Sequence, residues 1–419
     1  MDVELITIGD ELLLGFTIDT NAAHLARELA AVGIGIERRA TVGDVATDIG
    51  AAVREALDRT GAVITTGGLG PTSDDLTKPS IAAIFGRGMR LDEEHVAWME
   101  QRWLQRFGRR MPESNRAQAM LPEGARKLVN NHGSAPGIWL EDERGRWVAM
   151  LPGVPREMKG MLGDTLLPVL RERVAAGGAS TVVKSRTLRT TGVAESLLAD
   201  TIDPIRESLG PITLAYLPGA DGVDLRLTIR GVSSGEADRV LDGAAATIRE
   251  RLGRSIYAEG DSDMAAIILD RCRTLGLTIA VAESCTGGLL GARLTAIPGS
   301  SAVVLGGVIA YSNDVKRDLL GVQQTALEQH GAVSEEVVRQ MAAGARSRAH
   351  ASVGLAITGI AGPGGGTPDK PVGTVWVAAA LPDGTRALQL RLIGDRDEIR
   401  RRATQSVLEL VRRALVEKD

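Results

Sequence analysis

Ser284, Tyr311 and Lys316 have the side-chain types and the spacing of a catalytic group. The apolar, β-branched run 277–282 predicts a buried strand, and the apolar run 287–297 predicts a helix. Ser284 is therefore expected on a strand-to-helix turn, just ahead of the unpaired N–H groups of a helix N-terminus. A serine in that position can attack a substrate carbonyl carbon, while the N–H groups receive the oxyanion that develops.

Lys316 is the candidate base that this serine needs. The chain has 49 Lys plus Arg, of which only seven are lysines, so 42 are arginines. A lysine can lose its proton when it is removed from water, whereas an arginine effectively cannot, so a lysine kept near a nucleophile suggests a base. A chance position on a solvated surface is the alternative. Tyr311 lies five residues earlier and can relay a proton, or it can pack as an ordinary strand tyrosine.

Composition indicates a globular chain of several domains. With 419 residues, two or three domains are expected, and 44% hydrophobic and 24% charged residues are ordinary values. A net charge of −4 and 3% aromatic residues argue against a nucleic-acid-binding protein. Cys272 and Cys285 form no disulfide framework or zinc pattern, which fits a reducing compartment. The chain starts without a basic segment, and its longest apolar run, 302–311, is too short to span a bilayer, so a cytoplasmic protein without a membrane partner is expected.

Strands and helices alternate in the first part of the chain. Strand-like runs at 3–8 and 62–66 flank two amphipathic helices, the first capped by Asp19 and the second at 48–57. This alternation predicts a parallel sheet with ligands bound at the carboxyl ends of its strands.

Two polar turns follow those strands and predict a metal-assisted phosphate site. Their glycines allow a phosphate to approach the backbone closely, but their carboxylates would repel it unless a divalent cation lies between them. Asp74 and Asp75 are therefore the expected metal ligands. Alternatively, these two residues only cap a helix and the glycines only make a turn. The other expected site residues of the turns are Gly9, Asp10, Glu11, Gly67, Gly68, Gly70 and Thr72.

Three residues further along can complete this pocket. Asn115 and Gln118 supply polar groups, and Arg156 is a candidate phosphate ligand, although an exposed arginine is the simpler interpretation.

Several motifs resemble those of one family, the CinA (competence/damage-inducible) proteins. The two glycine-containing turns and the segment 151–158 resemble the family's molybdopterin-binding-like domain. Segments 282–288, 310–316 and 358–366 resemble its C-terminal nicotinamide-nucleotide amidohydrolase domain. The motifs occur in the family's order and span nearly the whole chain. One departure is Gly364, where the family more often has an acidic residue, which affects the expected loop geometry rather than the activity.

The resemblance implies an α/β chain of three domains. These are a molybdopterin-binding-like α/β domain at 1–172, a small KH-like α+β linker domain at 180–255 and an α/β amidohydrolase domain at 259–419. A linker is expected at 175–180. In the last domain, Ser334 is expected to cap a helix that runs to His350.

The KH-like domain is expected to act as a spacer or a dimer contact, and the whole protein as a homodimer. Its turn at 219–222 has the glycines of a KH-type module, but it also contains Asp221. A carboxylate there disfavours contact with a phosphate, so nucleic acid is not an expected partner.

The resemblance also implies two activities. The C-terminal domain is expected to hydrolyse the carboxamide of nicotinamide mononucleotide without a cofactor, with Ser284 as nucleophile, Lys316 as base and Tyr311 in proton transfer. Attack by water, with Ser284 only binding the substrate, is the alternative mechanism. The N-terminal domain is expected to cleave ADP-ribose with a divalent cation such as Mg²⁺, with or without potassium. A regulatory protein that binds pyridine nucleotides or molybdopterin without turnover is the alternative function.

The matching motifs also imply which residues hold the substrate of the C-terminal domain. The glycine-rich loop 362–366 can cradle a phosphate with its N–H groups, or it can be a plain connection. N–H groups near Thr286 and Gly287 are expected to hold the oxyanion. The full set of expected substrate-binding residues is Thr286, Gly287, Gly288, Asn313, Thr358, Gly359, Gly362, Gly365 and Gly366.

Overall fold

Sheets of six, four, five and two strands organise the chain in the computed structural model, which describes residues 1–176 and 182–416. Contacts divide the chain into two units, Met1–Lys184 with Thr228–Arg239 and Ser185–Leu227 with Val240–Asp419. Most of the expected linker, residues 177–180, lies outside the described ranges. None of the helices within those ranges is long and apolar enough to cross a membrane.

The first unit begins with the predicted alternation of strands and helices. Its sheet has the order β2-β1-β3-β8-β7-β6, in which the first four strands are parallel and the last two antiparallel. The strands up to residue 151 are β1 (Asp2–Ile8), β2 (Gly35–Val42), β3 (Ala62–Thr66), β4 (Met89–Leu91), β5 (Met120–Pro122), β6 (Arg126–Leu128), β7 (Gly137–Glu141) and β8 (Trp147–Leu151). The helices up to residue 176 are α1 (Asp10–Leu13), α2 (Thr20–Ala31), α3 (Ala46–Thr60), α4 (Thr77–Ile84), α5 (Glu93–Phe107), α6 (Pro155–Met161) and α7 (Leu167–Ala176).

Apolar residues cover both faces of this sheet at its centre, so the parallel strands β1, β3 and β8 are buried on each side, whereas the edge strand β2 is partly exposed. Along β1, Val3 and Leu5 belong to a core cluster with α2, α6 and α7, whereas Ile6 and Ile8 belong to a cluster with α3 and α4. Asp19 caps α2 by accepting the Ala22 N–H, which confirms the predicted cap.

A four-stranded sheet with the order β10-β11-β9-β12 forms the middle of the chain. Its elements are β9 (Val182–Thr190), α8 (Glu195–Ile202), β10 (Thr213–Pro218), β11 (Val223–Val232), α9 (Ser234–Leu252) and β12 (Ile256–Glu259). Asp221, in the turn between β10 and β11, forms ion pairs with Arg189 and Arg293.

The C-terminal part contains the five-stranded sheet β14-β13-β15-β16-β17. The strand β13 is parallel to both of its neighbours, and β16 and β17 are antiparallel additions. The strands are β13 (Ile279–Glu283), β14 (Val304–Ile309), β15 (Val353–Gly359), β16 (Thr374–Leu381) and β17 (Gly384–Arg391). The helices are α10 (Met264–Thr274), α11 (Leu289–Thr295), α12 (Asn313–Leu320), α13 (Gln324–His330), α14 (Glu335–Arg348) and α15 (Arg396–Val416).

Alternate residues of β13 enter two different cores, which makes this part a three-layer α/β/α structure. Ile279 and Val281 pack with α10, α11 and α15, whereas Ala280 and Ala282 pack with α12, α13 and α14. Ser334 caps α14 by accepting the Val337 N–H, as predicted.

The helix predicted at 287–297 is shorter than expected. It begins at Leu289 because Gly287 and Gly288 have φ angles of 59° and 97°, in the left-handed region that stops a helix from starting earlier. The helix that follows the second glycine turn starts at Thr77, after Asp74 and Asp75, with Leu76 at its cap position.

Candidate active sites

Ser284 lies directly after β13, at the carboxyl end of the central strand of the C-terminal sheet. Its N–H donates to the carbonyl of Ile357 on β15 at 3.0 Å, so the backbone of the serine is fixed to the sheet. The residue is only 9% exposed. This position agrees with the predicted strand-to-helix turn.

The side chains of Lys316 and Ser284 contact each other inside the protein. The lysine belongs to α12, whose cap residue Ser312 accepts the Val315 N–H. Its Nζ lies 3.2 Å from Ser284 Oγ and donates to the Ala310 carbonyl at 2.8 Å. The residue is 1% exposed, and burial lowers the pKa of its ammonium group because the charged form loses its hydration.

Cys285 is adjacent to Ser284 but is a poor competitor as nucleophile. Burial raises the pKa of the Cys285 thiol to about 11, so the thiol stays protonated at neutral pH. The Ser284 hydroxyl is therefore the candidate nucleophile of this site.

The helix N-terminus beside Ser284 is occupied by a carboxylate. Buried Glu283, the last residue of β13, accepts the N–H groups of Gly288, Leu290 and Gly291 at 2.7 to 3.0 Å. These are the groups that a helix N-terminus would otherwise offer to an anion. The expectation that the helix end itself holds the oxyanion is therefore wrong.

The turn before the helix provides different N–H donors. The Gly287 N–H, one of the expected oxyanion donors, donates to the carbonyl of Ser284 at 3.0 Å. Among the described hydrogen bonds, neither the Cys285 N–H nor the Thr286 N–H has a backbone acceptor, so these two groups are left to receive an oxyanion. The Thr286 hydroxyl is buried and also lacks a partner in the part of the chain that the structure describes.

Tyr311 and the glycine-rich loop are connected by Arg396 at the start of α15. One guanidinium nitrogen of Arg396 donates to Tyr311 Oη at 3.0 Å, and another donates to the Gly362 carbonyl at 2.6 Å. Tyr311 is 62% exposed, so it lies at the mouth of the site rather than inside it. Arg400, one turn later, donates to the Thr286 carbonyl at 2.8 Å.

The remaining residues expected to bind substrate differ in exposure. Thr358 is buried, and its hydroxyl donates to the Ala332 carbonyl at 2.8 Å, so it fixes the end of β15. Asn313 is exposed at the first position of α12. Gly359 ends β15 and is half-buried, whereas Gly365 and Gly366 are exposed in the loop that follows it.

A second candidate site is a cleft of about 530 Å³ at the carboxyl ends of the N-terminal parallel strands. Gly67, with φ 113°, passes so close to β1 that a Cβ would lie 2.1 Å from the Ile8 carbonyl oxygen. The cleft is lined by nearly all the residues expected from the two turns, namely Gly9, Glu11, Gly67, Gly68, Gly70, Asp74 and Asp75. Asn21 and Gln118 also line it, and each has a buried side-chain oxygen without a partner among the described residues.

Asp75, an expected metal ligand, instead fixes its own loop. Its carboxylate accepts the Gly70 N–H at 2.7 Å, the Thr72 N–H at 2.8 Å and the Thr72 hydroxyl. Thr72 thereby belongs to the loop's internal bonding and is exposed. Behind the loop, Lys78 donates to the carbonyls of Ala117 and Gln118, and burial lowers its pKa to about 8.

Asp10, Glu11, Asp44 and Asp74 form an acidic group at the cleft. Asp10 and Asp44 each accept the backbone N–H of the other, at 3.2 and 3.0 Å. Burial, together with the charges of Asp10, Glu11 and Asp74, raises the pKa of Asp44. No three acidic, histidine or cysteine side chains in the described ranges form a ready metal cage. This donor set fits a cation such as Mg²⁺, which keeps several waters and uses one or two carboxylates plus substrate phosphates.

Asn115 and Arg156 line a neighbouring cavity of about 180 Å³ instead of the cleft. Arg156 donates to the His132 carbonyl at 2.9 Å. The structure therefore places these two residues beside the glycine cleft rather than in its lining.

Sequence reasoning missed four side chains of the two sites, which are Glu283, Arg396, Arg400 and Asp44. Glu283 carried a usable signal, because a carboxylate at the end of a buried strand needs donors that a following helix can supply. Nothing in the sequence distinguished Arg396 and Arg400 from the other arginines, of which the chain has 42 in all.

Comparisons with known proteins match nearly the whole chain. Three family models match: "Probable molybdopterin binding domain" at residues 4–172, "Damage-inducible protein CinA KH domain" at 185–258 and "CinA C-terminal domain" at 261–415.

Relatives match along the full length. A CinA-like protein of Gemmatimonas aurantiaca is 63% identical over 414 residues, which is 99% of this chain and 96% of that protein. A CinA-like protein of Gloeobacter violaceus is 44% identical, with the same coverage. The crystal structure of the competence/damage inducible protein CihA from Agrobacterium tumefaciens is 45% identical over 36% of this chain and 93% of that chain, with a TM-score of 0.35. The chain belongs to the CinA family, with a molybdopterin-binding-like domain, a KH domain and a CinA C-terminal domain in that order.

Proposed function

We propose that the C-terminal domain hydrolyses the carboxamide of a nicotinamide nucleotide and releases ammonia. The observation that carries this proposal is the buried Lys316 amine at 3.2 Å from Ser284 Oγ. Burial favours the neutral amine, which can accept a proton from the serine hydroxyl. The family resemblance supplies the substrate, nicotinamide mononucleotide.

The reaction begins when Ser284 Oγ attacks the carboxamide carbon and Lys316 Nζ accepts the hydroxyl proton. The carbonyl oxygen becomes an oxyanion, for which the Cys285 and Thr286 N–H groups are the available donors. Lys316 then returns the proton to the amide nitrogen, and the C–N bond breaks to release ammonia. Water attacks the resulting ester, with the lysine again accepting a proton, and Ser284 is restored.

Arg396 is the cation suited to the substrate's phosphate. It holds Tyr311 and the Gly362 carbonyl together at the mouth of the site, where a nucleotide's phosphate would emerge. Tyr311 is too exposed to be the first proton acceptor, so its role in this proposal is to orient the bound nucleotide.

Ammonia release from nicotinamide mononucleotide tests this function and its alternatives. The full chain is expected to release one ammonia per nicotinate mononucleotide formed, and Ser284→Ala is expected to abolish the release. Acid quenching of a single-turnover reaction followed by mass spectrometry of the protein detects the ester on Ser284 as an increase in the mass of the chain. Tight nucleotide binding without ammonia would support the regulatory alternative, and turnover by Ser284→Ala would support attack by water.

We propose that the N-terminal domain cleaves the pyrophosphate of ADP-ribose with a divalent cation. The glycine cleft, its four gathered carboxylates and the unpartnered oxygens of Asn21 and Gln118 support this proposal. Asp10 and Asp44 are the residues suited to hold the cation, which would neutralise the phosphates and polarise them toward attack by water.

Release of AMP from ADP-ribose tests the second function. Chelator is expected to stop it and Mg²⁺ to restore it, while ammonia release continues, because the two sites use different residues. AMP release that resists chelator would overturn the metal-assisted mechanism.

A homodimer and a cytoplasmic location remain predictions.

A further inference from the structure

The longest apolar run of the sequence, 302–311, forms an outer edge of the C-terminal sheet. Its strand β14 pairs with β13 and with no other strand in the described ranges. Leu305, Ile309 and Tyr311 are exposed along this run, and so are the two glycines between the first two of them. An uncharged apolar strand therefore lies at the surface with a row of unpaired backbone N–H and C=O groups.

The other edge strands carry residues that oppose pairing with a further strand. Natural sheets protect their edges with charged side chains or with proline, because these disfavour the approach of another strand. The run 302–311 contains no charged residue and no proline. In the three larger sheets, each outer strand except β14 has such a residue, namely Arg38 of β2, Lys127 of β6, Pro218 of β10, Glu259 of β12 and Arg391 of β17.

The backbone of β14 is regular and bare where a second strand would approach. A bulge at Leu305 shifts its register with β13, but residues 306–309 then follow 280–283 one by one. A Cβ built on Gly306 would meet nothing within 4 Å, so the space beside it is open. Glycine inside a strand often marks a place where another backbone comes close.

We propose that β14 pairs with β14 of a second copy of this chain, antiparallel about a two-fold axis, to form one continuous sheet across two C-terminal domains. In such an isologous contact the same strand supplies both sides, so each row of unpaired N–H and C=O groups meets its own complement. Apolar side chains of one copy meet those of the other, and β14 brings no charge into the contact. A charged strand of another protein would find no opposite charge on this run.

The proposed contact lies beside the Ser284 site. Ala310, the residue after β14, accepts the hydrogen bond from Lys316 Nζ, and the exposed Tyr311 follows it. A second copy on this edge therefore lies next to the mouth of the site. The inference itself does not depend on the reaction proposed there.

Sedimentation velocity of the full chain over a range of concentrations tests the inference. The wild type is expected to change from a monomer of 44.2 kDa to a dimer as the concentration rises. Leu305→Lys places a like charge on the edge of both copies, so the dissociation constant of the dimer is expected to rise about 100-fold or more. Leu388→Lys is the matched control and should dimerise as the wild type does. Leu388 is 45% exposed on β17, the opposite edge of the same sheet, and Leu305 is 49% exposed.

Hydrogen exchange followed by mass spectrometry locates the contact. The wild-type peptide that contains β14 is expected to exchange more slowly as the chain dimerises, because pairing protects the N–H groups of the edge. The peptide that contains β17 should exchange at a rate that does not depend on concentration. In Leu305→Lys, the β14 peptide should exchange as it does in the wild-type monomer.

The wild-type measurements alone can contradict the inference, so a variant that folds poorly does not decide it. A wild-type chain that stays monomeric over the whole range would overturn the contact. A dimer whose β14 peptide exchanges as fast as that of the monomer would overturn it as well, and so would equal weakening of the dimer by Leu305→Lys and Leu388→Lys.

Discussion

At the scale of single residues, the account depends on a lysine that is neutral when it acts. The ordinary pKa of a lysine is 10.5, and burial lowers the pKa of Lys316 below that value. The proton acceptor is the deprotonated form, so activity is present above the lowered pKa and is lost as pH falls through it. The pKa of Lys316 is lowered because the residue is buried, not because a cation lies beside it.

We predict that kcat/KM for ammonia release rises with pH through a value below 10.5. Measurement across the range from pH 5 to 10, on the full chain, checks this expectation, because kcat/KM reports the ionisation of the free enzyme. A rate that does not change with pH, or one that rises only near 10.5, would show that Lys316 does not act as a neutral base.

Two aspartates of the N-terminal cleft should respond differently to the same chemical change. Asp44→Asn removes a carboxylate from the acidic group, so AMP release is expected to fall by tenfold or more while the unfolding temperature stays close to the wild type. Asp75→Asn weakens the hydrogen bonds from the Gly70 and Thr72 N–H groups that fix the loop. A hydrogen bond to a charged group contributes about 1.5–3 kcal/mol to the free energy of unfolding. The unfolding temperature of Asp75→Asn should therefore also fall. Thermal unfolding measured beside AMP release separates the two roles, and equal destabilisation by both variants would contradict the assignment.

The sequence predicted the Ser284 and Lys316 pair because both signals were local to their motifs. It could not separate Asp75 from Asp44 as a metal ligand. That distinction depends on which N–H groups face each carboxylate, and these come from a loop closing on itself and from two loops meeting across strands β1 and β2.

At the scale of elements, Glu283 connects the strand that carries Ser284 to the helix that follows. Three N–H groups depend on its carboxylate, and Leu290 N–H is fully buried with it. We predict that Glu283→Ala destabilises the C-terminal part by about 3 kcal/mol or more, since each orphaned buried donor costs about 1–3 kcal/mol. Glu283→Gln retains one acceptor oxygen and should recover part of the loss.

Thermal unfolding and ammonia release together check this role. Both variants should lower kcat more than they raise KM, because a displaced Ser284 still allows the nucleotide to bind at Arg396. Wild-type unfolding behaviour of Glu283→Ala would show that the helix does not need this cap.

Element types and order were predictable from the sequence, whereas their ends were not always so. The spacing of apolar residues in β1 and α2 is a local feature, and so are the helix caps Asp19 and Ser334. These features were therefore predicted correctly. The predicted start of α11 was wrong by two residues. Only the backbone angles of Gly287 and Gly288 show that these glycines belong to the turn before the helix.

At the scale of the whole molecule, all the side chains proposed for amide hydrolysis lie in residues 261–415. We predict that a fragment of residues 259–419 folds and releases ammonia with a kcat close to that of the full chain. It should unfold at a lower temperature, because it loses the Arg293–Asp221 ion pair, the Gln405–Thr191 hydrogen bond and the packing of Tyr257.

A longer fragment of residues 183–419 is the matched control for this test, since it retains those three contacts. It should recover the unfolding temperature of the C-terminal part. An inactive short fragment beside an active long one would show that the middle domain contributes to the site.

The central claim is that Lys316 is the base for Ser284, and Lys316→Arg tests it most directly. Arginine preserves the charge but cannot shed a proton at neutral pH. The kcat for ammonia release from nicotinamide mononucleotide should therefore fall by about 10²–10⁴-fold, the usual contribution of a positioned acid–base group. Ser284→Ala should cost at least as much, and the double variant little more, because the pair acts as one unit. A near-normal kcat with a raised KM in Lys316→Arg would contradict the claim and make the lysine a substrate clamp.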